Sequence, residues 1–394
     1  MIVSDTEKTG GQTQGERQNT AAAPTASVTT SATAAPVPED PAVRLQRSCR
    51  LLGRCLSDSR SDAVWFSFTG AGFALDFTGC RLEARLTADV ESVRDADRRP
   101  WLCIYLDDEE TPAQTVCIDR REMTVTLFSA DRPRHVRIRA VKRSEASASS
   151  FGLRELVCDS GGTMRPTQPS ARRILFLGDS FTCGYGNEGA PGEPFSTATE
   201  NGCETFAART ARALAADAQM VCWSGIGVYS SYTTTAEPNR TLCMADLYAR
   251  QDYGGCRRLI LPQQAADPAG FSPQAIVIDL GTNDASYTAR AGDAGRRQFI
   301  AAYAALLDTL RRDAPQAWIF CTLGPLTEES GRLFALIREL TDARRAAGDT
   351  RICALSFPAA TAEEGLGTDD HPSRKTHGRM ALALTEEIRM RLCR

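Results

Sequence analysis

Between residues 62 and 158 apolar and polar side chains alternate with a period of two. Phe73, Leu75 and Phe77 alternate with Ala74, Asp76 and Thr78, and Leu82, Ala84 and Leu86 alternate with Arg81, Glu83 and Arg85. The pattern returns at Met123, Val125 and Leu127 and again at Val136, Ile138 and Ala140. Successive side chains of a strand point to opposite faces, so this alternation predicts strands with one buried face and one face in water. Gly70, Gly72, Gly79 and the run Asp107-Asp108-Glu109-Glu110 punctuate the strands, and no helical period intervenes. Many short strands in succession predict a β-sandwich, here over residues 41–160.

After residue 172 the period changes. Segments 174–177, 220–223, 276–280, 318–321 and 352–355 are short continuous apolar runs, the pattern of strands buried on both faces. Between them Phe299, Tyr303, Leu306, Leu307 and Leu310 fall on one helix face. Leu333, Leu336, Ile337 and Leu340 do the same, as do Met380, Leu384, Ile388 and Leu392. Strands alternating with helices predict a three-layer α/β/α domain over 172–394 with a parallel sheet. The Gly/Pro/Ser-rich stretch at 161–171 reads as a linker. Residues 1–40 hold almost no large apolar side chains and cannot bury enough surface to offset their ordering entropy, so a disordered tail is expected there.

Ligands of parallel α/β sheets bind at the carboxyl ends of the strands, and four motifs sit at such ends. Gly178-Asp179-Ser180 follows the first run and continues as Phe181-Thr182-Cys183-Gly184-Tyr185-Gly186; small residues permit a tight turn that exposes a hydroxyl and its N–H. Trp223-Ser224-Gly225-Ile226-Gly227-Val228-Tyr229 follows the second, where Gly227 can offer an unobstructed N–H. Gly281-Thr282-Asn283-Asp284 follows the third, and the Asn283 amide is a donor suited to an oxyanion hole. Asp369-Asp370-His371-Pro372-Ser373 precedes the last helix and presents His371 as a base with carboxylates close in sequence. His377 lies within a helix pattern and is assigned a structural role, and His135 lies on the polar face of a strand. Taken singly, each motif is as well explained by turn or capping chemistry. Their order, Ser, Gly, Asn, His, is far more specific.

The formal net charge of −3 over 394 residues supplies no electrostatic reason for nucleic acid or an anionic membrane as partner. No apolar run approaches the ~20 residues of a membrane span, and the first residues lack a basic start followed by an apolar core, so a cytoplasmic protein is expected. Several of the 14 cysteines sit inside apolar runs, as Cys103, Cys222, Cys321 and Cys353 do, which is how small buried hydrophobes are placed. No CxxC pair occurs and histidines number only three, so no metal or other cofactor is expected. Reduced thiols are expected, with Cys49–Cys55 or Cys243–Cys256 as pairs for an oxidising compartment.

Over 171–394 the four motifs resemble the SGNH (GDSL-type) hydrolase superfamily, whose blocks supply Ser, Gly, Asn and His in that order. The resemblance implies Ser180 as nucleophile and His371 as general base. It implies an oxyanion hole made of the Ser180 and Gly227 N–H groups with the Asn283 amide. The stretches GDSFTCGYGNEG, WSGIGVY, GTND and DDHPSRKTH, together with WFSFTGAGFALDFTG, VKRSEA and FGLREL upstream, are more narrowly similar to carbohydrate esterase family 2 over about 45–394. That family implies an N-terminal β jelly roll and deacetylation of acetylated oligo- or polysaccharides such as xylan and mannan, without a cofactor. The family pattern makes Asp369 the acid partner of His371; Asp370 and a Ser–His dyad are the alternatives. Asp370 stands where the family places an aromatic residue, which leaves Tyr229 as the aromatic wall for substrate. Two competing readings are a carbohydrate-binding protein on a non-catalytic scaffold and a general short-chain esterase or acetyltransferase.

Overall fold

The two alternating stretches 73–77 and 82–86 form one strand. In the computed structural model, which describes residues 39–392, β4 (Gly72–Ala88) pairs along its whole length with β7 (Glu122–Lys142). The runs at 123–127 and 136–140 likewise merge, into β7. Gly79 therefore bends a strand rather than ending it. The register shifts between Gly79 and Arg81 and again between Leu82 and Glu83, and a Cβ at Gly79 would run into the Phe77 ring and the Asp159 carboxylate. Such bulges re-aim a long strand without ending its pairing.

Across the bend β4 changes neighbours. Its first half pairs with β1 (Arg50–Leu52) and β9 (Thr163–Pro166), and its second half with β8 (Phe151–Cys158). β2 (Leu56–Asp58), β3 (Ala63–Phe66), β5 (Trp101–Leu106) and β6 (Gln114–Cys117) complete a nine-stranded sheet in the order β2-β3-β8-β4-β7-β5-β6. All its pairings are antiparallel, and the sheet curls over a core that includes Phe73, Leu75, Phe77, Leu82, Leu86, Ile104, Leu127 and Ile138. β9 lies inside the stretch expected to be a linker. Two short helices, α1 (Pro41–Leu45) and α2 (Val90–Arg94), interrupt a region in which only strands were expected. The tail expected over 1–40 lies outside the described residues up to residue 38.

The second sheet is parallel throughout, in the order β11-β10-β12-β13-β14, with β10 at Arg172–Gly178, β11 at Ala216–Cys222, β12 at Ala275–Asp279, β13 at Trp318–Leu323 and β14 at Ile352–Ser356. Its strands are the five apolar runs of the sequence. The helices are α3 (Ser180–Cys183), α4 (Phe206–Ala213), α5 (Met244–Tyr248), α6 (Tyr253–Arg258), α7 (Pro268–Phe271), α8 (Thr282–Asp313), α9 (Glu328–Ala346) and α10 (Arg374–Leu392). One core joins Leu175, Leu177 and Ile276 to Phe299, Leu306 and Leu333 from α8 and α9. A second joins Ile174, Phe176 and Phe320 to Phe206, Met380 and Leu384 from α4 and α10. Among the described residues no helix is long and apolar enough to cross a membrane, and every cysteine is a free thiol. From β10 the chain proceeds first to β11 on one side and then to β12 on the other. Such a reversal opens a crevice at the carboxyl ends of the strands, and β10 carries Ser180 to it.

Candidate active site

Ser180 is the first residue of α3, immediately after β10. Its N–H has no acceptor within the helix, as for any first-turn residue. Asp179 caps the helix, its carboxylate accepting the Phe181 N–H at 3.0 Å. Gly178 is required by packing, since a Cβ there would overlap the Thr182 side chain.

His371 reaches Ser180 from the far end of the chain. Its Nε2 lies 2.9 Å from the Ser180 Oγ. Its Nδ1 lies 3.1 Å from the carbonyl oxygens of both Thr368 and Asp369. Carbonyls only accept, so Nδ1 carries the proton and Nε2 presents its lone pair to the serine hydroxyl. Burial pushes the imidazole below its ordinary range, against the opposing pull of those two carbonyls and of the Asp369 charge. His371 is therefore neutral at neutral pH.

The two loops are knitted together. The Thr368 N–H donates to the Gly186 carbonyl at 3.0 Å and the Arg374 N–H to the Asn187 carbonyl at 3.3 Å. Gly186 has φ +55, and a Cβ on it would overlap Thr368. The glycines around Tyr185 thus allow the backbone of the loop that follows Ser180 to touch that of the loop that carries His371.

The acid expected at Asp369 is not where the sequence suggested. Its carboxylate accepts the Tyr185 hydroxyl at 2.8 Å, and only its backbone carbonyl faces His371. The physical reason is the turn: Asp369 and Asp370 are both left-handed, with φ +50 and +57. That path directs carbonyls toward the imidazole and leaves both side chains exposed. The pair Ser180–His371 is completed by backbone oxygens.

Of the three donors expected for an oxyanion, the Ser180 N–H is left over by its helix, while the Asn283 amide and the Gly227 N–H are engaged. The Asn283 amide donates to the Asp179 carboxylate at 3.2 Å and to the Ile226 carbonyl at 2.9 Å. The Gly227 N–H donates to the Ser231 hydroxyl at 3.3 Å. Asp284, whose role the sequence did not disclose, holds the Gly227 loop. Its buried carboxylate accepts the N–H groups of Val228, Tyr229 and Ser230 at 2.9, 2.8 and 2.9 Å. Burial lifts its pKa to about 6, although those bonds favour the charged form, and lifts that of Asp179 to about 7. Asp284 was visible as the last residue of Gly281-Thr282-Asn283-Asp284, but nothing local tied it to residues 228–230.

Glu145 could not have been found from its neighbours in sequence. It belongs to the loop after β7, in the antiparallel part, and its carboxylate accepts the Ser224 N–H at 3.0 Å. Tyr229, expected as an aromatic wall, is half-buried; it lies 5.8 Å from Tyr287 and carries the Arg240 guanidinium 4.5 Å from its ring centre. His135 pairs with Thr78 on the antiparallel sheet. His377 is buried in α10 and accepts the Phe206 N–H at 3.3 Å. Among the described residues no group of three or more His, Cys, Asp or Glu side chains is placed to hold a metal ion.

Residues 176–379 match the GDSL-like lipase/acylhydrolase family, and residues 51–167 match the carbohydrate esterase 2 N-terminal family. A solved structure of a family two carbohydrate esterase from Clostridium thermocellum, in complex with cellohexaose, superposes with a TM-score of 0.73 at 30% identity, covering 87% of this chain and 99% of that one. The chain belongs to carbohydrate esterase family 2. A family member's two-part architecture accounts for both sheets, the curled antiparallel one in front and the parallel one behind. A cellulase/esterase, CelE, of Acetivibrio thermocellus is 32% identical over 331 residues, or 83% of this chain. The chain spans 37% of that relative's length. An acetylxylan esterase/glucomannan deacetylase of Cellvibrio japonicus is 27% identical over 86% of this chain and 88% of its own length.

Proposed function

We propose that this chain is a serine esterase that removes O-acetyl groups from plant polysaccharides or oligosaccharides, with acetylated xylan and glucomannan as its substrate class. The observation that carries the reading is the 2.9 Å contact between a neutral His371 Nε2 and the Ser180 hydroxyl, at the crevice where a parallel sheet binds ligands. The naming of the Cellvibrio japonicus relative supports the choice of substrate.

In the reaction His371 takes the Ser180 proton as Oγ attacks the acetyl carbonyl. The carbonyl oxygen becomes an oxyanion next to the Ser180 N–H. The Asn283 amide reaches it by leaving its longer bond, the one to Asp179, and the Gly227 N–H by leaving Ser231. The imidazolium is held by the Thr368 and Asp369 carbonyls, then returns its proton to the departing sugar hydroxyl. Water repeats the sequence on the acetyl-serine and releases acetate. The curled sheet contributes Glu145, which holds the loop bearing Ser224 and Gly227.

The test is acetate release from acetylated xylan, acetylated glucomannan and acetylated xylo-oligosaccharides, measured side by side with Ser180→Ala and His371→Ala proteins. Each variant should remain folded and release no acetate above background. Turnover at the unaltered rate in either one rejects the roles given to these residues, and binding of the glycans without any hydrolysis by the parent chain favours a carbohydrate-binding protein.

A further inference from the structure

The carboxylate that sequence reasoning paired with His371 grips a tyrosine instead. Tyr185 stacks on the His371 imidazole, with ring centres 4.3 Å apart and planes 29° from parallel. Phe195 also stacks on Tyr185, at 4.2 Å and 19°. The Tyr185 hydroxyl ends on the Asp369 carboxylate at 2.8 Å. Phe181 meets the same imidazole edge-on at 5.5 Å and 85°. The imidazole thus has aromatic contact from two side chains of the nucleophile's own loop.

A base oriented by a carboxylate is fixed by a strong charged bond. His371 has only two 3.1 Å bonds to carbonyls that are adjacent in the chain, so something else must stop the ring from swinging. We propose that Tyr185 is the positioning residue for His371, its ring forming the wall that holds the imidazole against Ser180 and its hydroxyl anchored by Asp369. Asp369 then acts on the base through Tyr185 and not as the acid of a triad. This rests on the esterase reading only in that His371 is taken as the base.

The stack places the three residues in a fixed order. Phe195 backs Tyr185, Tyr185 backs His371, and His371 faces Ser180. Asp369 sits on the same turn as the carbonyls that bind Nδ1, so one left-handed turn supplies both the bonds to the imidazole and the anchor for its wall. The ionisable groups near His371 are Asp369 on its own turn, Glu145 from the curled sheet, Tyr185 from the nucleophile's loop and His377 from α10.

Tyr185→Phe, Asp369→Ala, the two combined, and Tyr185→Ala separate the possibilities, with 4-nitrophenyl acetate as substrate. Tyr185→Phe and Asp369→Ala should each lower kcat about five-fold, the scale of one ordinary hydrogen bond, with KM nearly unchanged. The combined variant should match the singles within about two-fold, since both remove the same bond. Tyr185→Ala should lower kcat roughly 100-fold through misplacement of the base. The nitrogen resonances of His371, assigned by comparison with His371→Asn, should show one Nδ1–H tautomer in the parent protein and broadened or mixed signals in Tyr185→Ala. A loss of about 10⁴ in Asp369→Ala with Tyr185→Phe unimpaired makes Asp369 a triad acid and overturns the proposal. So does a Tyr185→Ala protein with parental kcat and parental His371 signals. If Tyr185→Ala does not fold, the cycle of the other three variants decides. If the parent hydrolyses no acetate ester, the esterase reading fails while the His371 signals still test the clamp.

Discussion

At Ser180 and His371 the chemistry is set by which atoms face each nitrogen of one imidazole. Two carbonyls at Nδ1 leave no choice of tautomer, and burial holds the ring below the usual imidazole range. The acid limb of kcat/KM should therefore have its midpoint below ~6.5, activity being lost as His371 takes up a proton. A pH profile on an acetate ester checks this, and a midpoint above that value contradicts it. His377 makes the same point for stability. It is buried against Phe206, and burial pushes its pKa down to about 3. As pH falls below ~6.5 the unfolded chain binds a proton that the folded protein refuses until about 3, so stability is lost on acidification. Between pH 6.5 and 5 this group alone should remove about 2 kcal/mol. His377→Gln should lose less stability than the parent over that interval in urea titrations at the two pH values.

At the scale of elements, the site is a junction of loops whose separation is fixed by backbone contact. Gly186 lies where the loops of Ser180 and His371 touch. Gly186→Ala adds a Cβ where Thr368 already sits and forces a left-handed residue to carry a side chain, so it should lower kcat at least ~10²-fold by displacing His371. Near-parental kcat in a folded Gly186→Ala protein would show that the loops move independently. The Gly227 loop depends in the same way on Asp284. Asp284→Ala leaves three N–H groups without their acceptor and should cost about 3–5 kcal/mol, read from the denaturant midpoint. Asn283→Ala removes a donor without touching that support. It should raise the barrier by ~2.7–4 kcal/mol while leaving KM nearly constant.

Across the whole molecule, arginines tie the curled sheet to the parallel one. Arg50 meets Asp217 at 2.6 Å, Arg54 donates to the Tyr248 and Arg250 carbonyls, and Arg143 donates to the Glu200 carbonyl and to Glu188. Arg258 runs the other way, from α6 to the carbonyls of Ala146 and Ser149, the Ser150 hydroxyl and Asp89. These are the residues around Glu145, so the packing that joins the two sheets also places a carboxylate behind the Gly227 loop. Arg258→Ala should destabilise the protein by about 3–5 kcal/mol, because it leaves Asp89 and several carbonyls buried without their partner. A denaturation curve within 1 kcal/mol of the parent's, an estimate on the scale of an exposed ion pair, would show that the junction does not rely on it.

The chain's local patterns determined a good deal without help. Period-two alternation marked the two long antiparallel strands, β4 and β7, continuous apolar runs marked the five parallel ones, and Ser180, Gly227, Asn283 and His371 stood out because each follows a strand or precedes a helix. These are properties of neighbouring residues, and neighbouring residues carry them. The merger of two alternating stretches into β4 was not legible, since a glycine that bends a strand and a glycine that ends one look alike until Phe77 and Asp159 are seen beside it. Asp369, which the family pattern made the preferred partner of His371, lies elsewhere for a related reason: a pair of left-handed residues turns its carboxylate toward Tyr185, an arrangement that fits the Ser–His dyad kept as an alternative. Asp284, Glu145 and the Tyr185 stack could be assigned only in three dimensions, because a hydrogen bond between residues tens of positions apart leaves no local trace. Sequence alone determined which atoms can do chemistry here; the tertiary structure decided which of them face one another, since direction and distance are set by packing.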